Sequence, residues 1–126
     1  MRTIHVQHDG DAGMLAPMFS SPPAIVRSWS ARATHEGADA YLTHFQQVVL
    51  PALHRLAGHR GAMVLRRGRD HEVEIIVLTF WASLAAIEAF AGRDATAAVV
   101  EPEARAVLRA FDAQAEHFEL AFAAEP

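Results

Sequence analysis

Four stretches of the chain have the hydrophobic pattern of β-strands, and two stretches between them have the pattern of helices. The predicted strands are Ala24–Ala33, Ala62–Arg67, Glu72–Trp81 and Ala115–Phe122. The first alternates between apolar and polar residues, which is typical of a strand with one buried face. The third is rich in β-branched residues, and the "GRDH" turn separates it from the second.

The first helix is predicted over about 37–56, where apolar residues recur with helical spacing. Its apolar stripe contains Tyr41, Phe45, Val48, Val49, Ala52 and Leu56. Pro51 lacks a backbone N–H and is expected to kink or restart this helix. Ser83 is a suitable N-cap for the second helix, whose apolar face contains Leu84, Ile87 and Phe90. A further helical piece follows Gly92, is interrupted near Pro102, and is predicted to run to about Phe111.

The resulting order, βαββαβ, predicts an α+β fold of the ferredoxin-like type, with an antiparallel sheet and both helices on one face. In the third strand, however, Ile75 and Val77 alternate with Ile76 and Leu78, so both faces are apolar. The helices cover one face only. We therefore expect the other face to pack against a second copy in a homodimer.

Residues 1–23 mix polar residues, glycine and proline without periodicity, and are predicted to form a flexible N-terminal arm. The domain is placed at residues 24–126. Met14, Leu15, Met18 and Phe19 are apolar residues of the arm through which it can dock on a partner subunit.

Composition narrows the class of function. The 126 residues contain no cysteine, which excludes disulfides, thiolate metal sites and a cysteine nucleophile. The net charge is −4, and the longest basic run is Arg66–Arg69, so neither nucleic-acid binding nor a polybasic membrane patch is indicated. The N-terminus lacks an apolar segment of signal-peptide or membrane-spanning length, and the protein is predicted to be cytoplasmic.

Several short motifs resemble a known family. "FWASLAAIEAFAG" resembles the W-x-S-x-x-A-x-x-x-F signature of the dimeric α/β-barrel superfamily, at the point where strand three passes into the second helix. With "GADAYLTHF", "GHRGAMVLRR" and "EHFEL", the core from Ile25 to Phe122 is similar to the antibiotic biosynthesis monooxygenase (ABM) family. The resemblance implies a dimeric α/β barrel with a ligand pocket between helices and sheet. Activities in the superfamily include cofactor-free oxidation of anthrones, haem degradation, isomerisation and aldoxime dehydration, and fold alone does not choose among them.

The resemblance also implies that Trp81 lines the pocket, since haem-degrading and anthrone-oxidising relatives have a tryptophan there. A flat indole can stack on a planar substrate, although it can equally close the end of the sheet. Trp29 and Tyr41 are further substrate-binding candidates because they can shape an aromatic cavity. Arg66 can meet an anionic group of the substrate, but an arginine near a hairpin is more often solvated.

Two histidines are candidate catalytic bases, because an imidazole titrates near neutral pH. His117 belongs to the last strand, on a face that the sequence does not decide. His44 borders the apolar stripe of helix one. No metal-binding spacing such as H-x-H or H-E-x-x-H occurs, so no metal and no cofactor are expected.

Haem degradation is disfavoured by what the chain lacks relative to that branch of the superfamily. Those relatives use a histidine after the tryptophan motif and an asparagine on strand one, whereas the segment 92–108 has no histidine and the chain has no asparagine. The leading hypothesis is a cofactor-independent monooxygenase acting on an aromatic or polyketide-type small molecule. An oxygen-independent isomerase or cyclase, and a non-catalytic dimeric protein that binds a small ligand, remain open alternatives.

Overall fold

The computed structural model describes Phe19 and residues 21–126, so most of the predicted arm, residues 1–18 and 20, lies outside the described residues. Five strands are present: β1 (Ile25–Ala33), β2 (His59–Arg69), β3 (Glu72–Trp81), β4 (Ala110–Phe111) and β5 (Glu116–Glu119). Four α-helices accompany them, α1 (His35–His44), α2 (Leu50–His54), α3 (Leu84–Ala91) and α4 (Pro102–Val107), with a π-helical segment at Phe45–Val49.

The sheet is antiparallel and has the order β2-β3-β1, with β4 and β5 both paired to the remaining edge of β1. The predicted last strand corresponds to β5 alone, and β4 is an additional short strand in a segment predicted to be helical. β4 meets Ala31 and Arg32, and β5 meets Ile25–Ser28. With helices on one face, this is the ferredoxin-like α+β fold, and that prediction is confirmed.

Strand register divides the side chains into a covered face and an open face. Ala31, Ala33, Val73, Ile75, Val77 and Trp81 project toward the helices and are buried. Successive side chains of a strand point to opposite faces, so Ile76 and Leu78 lie on the open face and are only partly buried. Phe80 also lies there but is covered by Phe19, whose ring centroid is 5.0 Å away.

The first helical region runs without a gap from His35 to His54, but its α-helical hydrogen bonding stops at Phe45–Val49 and resumes in a short segment, α2, that has Pro51 in its first turn. The turn before the proline widens, and the N–H of Leu50 donates to the carbonyl of Phe45, five residues back. A π turn holds one extra residue, which rotates the following side chains around the axis. The predicted stripe is therefore wrong at Val48 and Ala52, which are exposed while Leu50 and Leu53 are buried, although Val49 and Leu56 still pack against the core.

Other element boundaries differ from the prediction as well. β2 begins at His59 and ends at Arg69, three residues earlier and two later than expected, since its pairing with β3 continues through a bulge at Arg60. The helical piece predicted after Gly92 begins only at Pro102, because residues 93–101 form a loop, and it ends at Val107. Ala110–Phe111 is a strand because the chain there pairs with β1. β5 ends at Glu119, short of the predicted Phe122.

Capping fixes the starts of the two main helices. The hydroxyl of Thr34 accepts from the N–H of Gly37, and Ser83 accepts from Ala86 at 3.1 Å, which confirms the predicted serine cap. None of the helices in the described residues is long and apolar enough to cross a membrane.

Candidate functional site

A small cavity lies between the covered face of the sheet and the first helix. It is lined by Arg27, Trp29, Tyr41, Phe45, Val49, Leu53, Val77, Thr79, Phe90 and Val99. Its volume is about 40 Å³, enough for only a few water molecules. The lining is mostly aromatic and aliphatic with a few polar groups, which is the usual composition of a small-molecule site.

Aromatic rings form one side of this cavity. The ring centroids of Trp29 and Tyr41 are 6.1 Å apart, and those of Tyr41 and Phe45 are 6.4 Å apart, both tilted. A hydrogen bond holds the Trp29 side chain in place, since its indole N–H donates to the carbonyl of Asp112 at 2.8 Å. Two of the predicted substrate-binding residues, Trp29 and Tyr41, therefore lie together in the cavity wall.

Arg27 places a positive charge in this otherwise apolar setting. It projects from β1 toward the helices, and only 4% of its surface is exposed. Nη1 donates to the carbonyl of Ala95 at 2.6 Å and Nη2 to that of Ala97 at 2.7 Å. Burial lowers the pKa of Arg27, and the charge of Asp94 opposes that shift. The side chain thus joins the sheet to the loop between α3 and α4.

This loop, residues 92–101, contributes Val99 to the lining of the cavity. Asp94 stabilises it locally, accepting from the N–H and hydroxyl of Thr96 at 3.1 and 2.7 Å. Gly92 begins it with φ of 90°, a left-handed conformation that glycine adopts without a Cβ clash. The loop contains no helix or strand, and its middle is tied to the segment before β5 by the Ala97–Gln114 bridge and by backbone hydrogen bonds from Ala98 to Ala113 and from Ala115 to Thr96.

His117 lies on the covered face, which answers the question of orientation that the sequence left open. It pairs with Arg27 across the two strands, and its Nε2 is 3.4 Å from Nη1 of that arginine. Burial, and secondarily the charge of Arg27, lower the pKa of His117. A guanidinium nitrogen can only donate, so Nε2 of His117 is the acceptor in this contact, and the ring stands beside the cavity rather than in its lining.

His44 forms a pair with Glu101 at the other end of the same region. Its Nε2 is 3.1 Å from Oε1 of Glu101, and its side chain is 9% exposed. The ring centroid of His44 is 6.2 Å from that of Tyr41, which lines the cavity. Burial, and then the charge of Glu101, raise the pKa of Tyr41, so its hydroxyl stays protonated.

Trp81 is fully buried behind the cavity. Its indole N–H donates to the hydroxyl of Thr79 at 2.8 Å, and Thr79 is itself a lining residue. The indole also packs edge-on against His59 at 5.3 Å and against Phe90 at 5.7 Å. Among the lining residues, Thr79 and Phe90 thus rest directly on Trp81, while the indole itself is outside the lining.

Arg66 lies apart from the cavity. Its Nη1 is 2.8 Å from Oδ1 of Asp39, and both side chains are solvent-exposed. Of the six residues selected from the sequence, Trp29 and Tyr41 are in the lining, His44, His117 and Trp81 contact lining residues, and Arg66 does neither.

Sequence reasoning missed Arg27, Thr79, Phe45, Phe90 and Glu101. A signal for Arg27 was present, because it occupies an inward position of a strand whose other inward residues are Ile25, Trp29, Ala31 and Ala33. A charged residue at such a position is uncommon without a partner or a function. In the described part of the chain, no cluster of three or more His, Asp or Glu side chains could hold a metal ion.

Comparisons with known proteins agree with this architecture. The family model described as antibiotic biosynthesis monooxygenase matches residues 25–102. A crystal structure of a candidate antibiotic biosynthesis monooxygenase from Bacillus cereus superimposes with a TM-score of 0.59 at 12% identity, covering 82% of this chain and 97% of that one. No curated protein sequence matches the chain significantly. The family match spans well over half of the chain, from the start of β1 to the start of α4, and the chain belongs to the antibiotic biosynthesis monooxygenase family.

Proposed function

We propose that the protein binds an aromatic or polyketide-type small molecule in the cavity and oxidises it with O₂ as a cofactor-independent monooxygenase. The observation that carries the proposal is the cavity itself, in which Trp29, Tyr41, Phe45 and Phe90 surround a single buried cation within an ABM fold. Aromatic walls favour a planar ligand, because offset or tilted rings stabilise each other beyond simple burial.

A ring system needs more space than the 40 Å³ cavity offers. The wall best suited to move is the loop 92–101, because α1, α2 and the sheet are tied by continuous backbone hydrogen bonds. Binding is therefore proposed to displace Val99 outward while Arg27 keeps its contact with the loop. The closed cavity then excludes water around the bound ring.

The proposed chemistry begins with removal of an acidic proton from the substrate, for which His44 is the better-placed base. His44 has a carboxylate partner in Glu101 and lies beside Tyr41. The Nε2 of His117 faces a cation instead, which disfavours proton uptake at that atom. For a simple anthrone, the carbanion transfers electrons to O₂, one oxygen atom enters the ring carbon to give the quinone, and the other leaves as water.

A second function, binding without reaction, is favoured by a specific observation. None of the ten lining residues is a histidine or a carboxylate. An oxygen-independent isomerase or cyclase would use the same proton transfer without consuming O₂. Oxygen consumption distinguishes the monooxygenase from these two alternatives.

The test is oxygen uptake by the metal-free protein with a simple anthrone, measured against the spontaneous rate. We expect one O₂ per quinone formed. His44→Gln is expected to lower the turnover by about 10²- to 10⁴-fold, the usual contribution of a positioned base, while the exposed His71→Gln serves as the matched control. Uptake equal to the spontaneous rate would exclude the monooxygenase, and an anaerobic change in the substrate spectrum would favour the isomerase.

We further propose that the open face of the sheet packs against a second copy of the chain. That face presents Val26, Met63, Leu65, Ile76, Leu78 and Phe118, of which Leu65 is 46% exposed and Phe118 52%. A contiguous apolar surface of this kind is uncommon on a monomer and is removed from water by a two-fold partner.

A further inference from the structure

The pair formed by His44 and Glu101 joins the end of α1 to the start of α4. Nε2 of His44 is 3.1 Å from Oε1 of Glu101, and the imidazole side chain is 9% exposed. A carboxylate oxygen accepts hydrogen bonds and does not donate them, so the proton of this contact belongs to Nε2. The partner of one ring nitrogen decides where a neutral imidazole carries its lone pair. In His44 the lone pair is left on Nδ1, which forms no hydrogen bond with a described residue.

Glu101 is held in place by its backbone, independently of the imidazole. It is the N-cap residue of α4, and its carbonyl accepts from the N–H groups of Ala104 and Arg105, each at 3.0 Å. Its carboxylate makes no capping hydrogen bond to the helix and is therefore available to His44. Val99, the loop residue proposed to move, precedes this fixed point by two residues. Displacement of Val99 thus leaves the support of the imidazole in place.

The same carboxylate acts on the wall of the cavity. Burial first, and then the charge of Glu101, raise the pKa of Tyr41, which lines the cavity. A charge exerts such an effect only from nearby, because the interaction weakens with distance and with screening. The ring centroid of Tyr41 is 6.2 Å from that of His44. One side chain from the start of α4 therefore lies near both the candidate base and an aromatic residue of the lining.

A histidine that is held by a carboxylate on one nitrogen is arranged to take a proton on the other. We infer that Glu101 is a positioning residue, which holds His44 with its proton on Nε2 and leaves Nδ1 as the atom that accepts the proton of the ligand. The bond from hydrogen to the ligand breaks, its electron pair stays on the ligand, and the carboxylate stabilises the imidazolium that forms. The inference rests on the proposed function, in which His44 is the base, and it adds a second residue and the reacting atom.

The first experiment locates the proton on His44 without a substrate. Long-range proton–nitrogen NMR of the isotope-labelled full-length protein distinguishes the two tautomers, and His44→Gln assigns the signals. We expect the proton on Nε2, with slow exchange against water because this N–H is hydrogen-bonded and largely buried. Glu101→Leu removes the acceptor and is expected to abolish the slow exchange. Glu103→Gln, at an exposed position of the same helix, is the matched control and should retain it.

The second experiment measures the turnover of a simple anthrone by oxygen uptake. Glu101→Leu is expected to lower kcat by about 10²-fold, the usual cost of a misplaced catalytic group, while KM stays within about twofold. Glu101→Gln keeps an oxygen that accepts from Nε2 and is expected to restore kcat to within about tenfold of the wild-type value. Glu103→Gln should match the wild type. Equal losses in the leucine and glutamine variants, or a loss confined to KM, would contradict a positioning role.

The two proposals fail in different ways. If the wild-type protein consumes no oxygen above the spontaneous rate, the monooxygenase is wrong and the catalytic role of the pair falls with it. If the wild type is active but Glu101→Leu turns over equally fast, or the proton of His44 lies on Nδ1, only the inference is overturned. Should Glu101→Leu fail to fold by circular dichroism, the wild-type tautomer and Glu101→Ala, which also lacks an acceptor, decide.

Discussion

Each face of the sheet carries side chains that are unusual for its exposure to solvent, and the type of unusual side chain differs between the two faces. The covered face is closed by helices, yet it holds the guanidinium of Arg27 and the hydroxyl of Thr79 among buried aliphatic and aromatic groups. The open face has solvent access, yet the part of it that holds Leu65, Leu78 and Phe118 is apolar, whereas Arg32, Arg67 and Glu74 lie on the same face near the β2–β3 hairpin. Burial of a charge and exposure of an apolar surface both raise the free energy of an isolated chain.

The two faces therefore motivate two different proposals. The cavity on the covered face is proposed to bind a small molecule, because aromatic side chains and one cation line it. The apolar part of the open face is proposed to pack against a second copy of the chain, because such a contact removes it from water. The two proposals place binding and assembly on opposite faces of one layer of strands.

The largest expected effect on stability comes from truncating a buried side chain on the covered face. Trp81→Ala deletes a fully buried indole that contacts Phe90 and Thr79, and it is expected to lower the free energy of unfolding by about 3–5 kcal/mol. Urea denaturation measures the change. The control is Leu84→Ala on the solvent side of α3, where the side chain is 47% exposed and the loss should be roughly 0.5 kcal/mol or less. Equal losses in the two variants would mean that the covered face is not the stable core.

The next test places a charge on the open face. Leu65→Glu puts a carboxylate into the proposed interface and is expected to weaken dimerisation by roughly 3 kcal/mol, or more than a hundredfold. Light scattering over a dilution series measures the change in mass. Leu84→Glu makes the same substitution at nearly the same exposure on the helical layer and should leave the mass unchanged. A wild-type protein that is monomeric at high concentration would contradict the assembly proposal.

The smallest expected effect is a change of stability with pH that arises from His59, at the end of the covered face. His59 lies edge-on to Trp81, and its buried Nε2 has no hydrogen-bond partner among the described residues. Burial first, and then the neighbouring His54, lower its pKa to about 4. The folded state thus binds the proton more weakly than the unfolded state does. The contribution to stability is complete above the ordinary histidine pKa and is lost as the pH falls toward 4.

We expect the free energy of unfolding to fall by about 1 kcal/mol between pH 7 and pH 5 because of His59, after allowance for solvent screening at this half-buried ring. Denaturation curves at several pH values measure the slope. His59→Gln should flatten most of it, whereas the exposed turn residue His71→Gln should not. Identical slopes in both variants would assign the pH dependence to other groups, of which His117, shifted in the same direction, is the first to examine.

The fold was predictable because its elements depend on short-range pattern. Alternation along β1, the β-branched run of β3 and the serine cap of α3 are local features, and each formed as expected. The errors lie where neighbours far along the chain intervened. Pairing with β1 made a strand of Ala110–Phe111, and the π turn before Pro51 exchanged Val48 and Ala52 for Leu50 and Leu53 in the core.

The site was less predictable for the same physical reason. Trp29 and Tyr41 could be selected as large aromatic residues at inward positions, and the structure places both in the lining. The importance of Arg27 depends on what surrounds it, namely two loop carbonyls about 70 residues away and a histidine from another strand. No sequence pattern contains those distances.

The sequence by itself determined the strand and helix types, the ferredoxin-like order, the family, and the presence of more apolar surface than the helices can cover. These follow from the period of hydrophobic residues and from local capping. Only the tertiary structure decided which side chains share the cavity, which face His117 takes, and that the positive charge of Arg27 is left without a described counterion. Such facts depend on register and loop packing, which bring together residues that no local pattern connects.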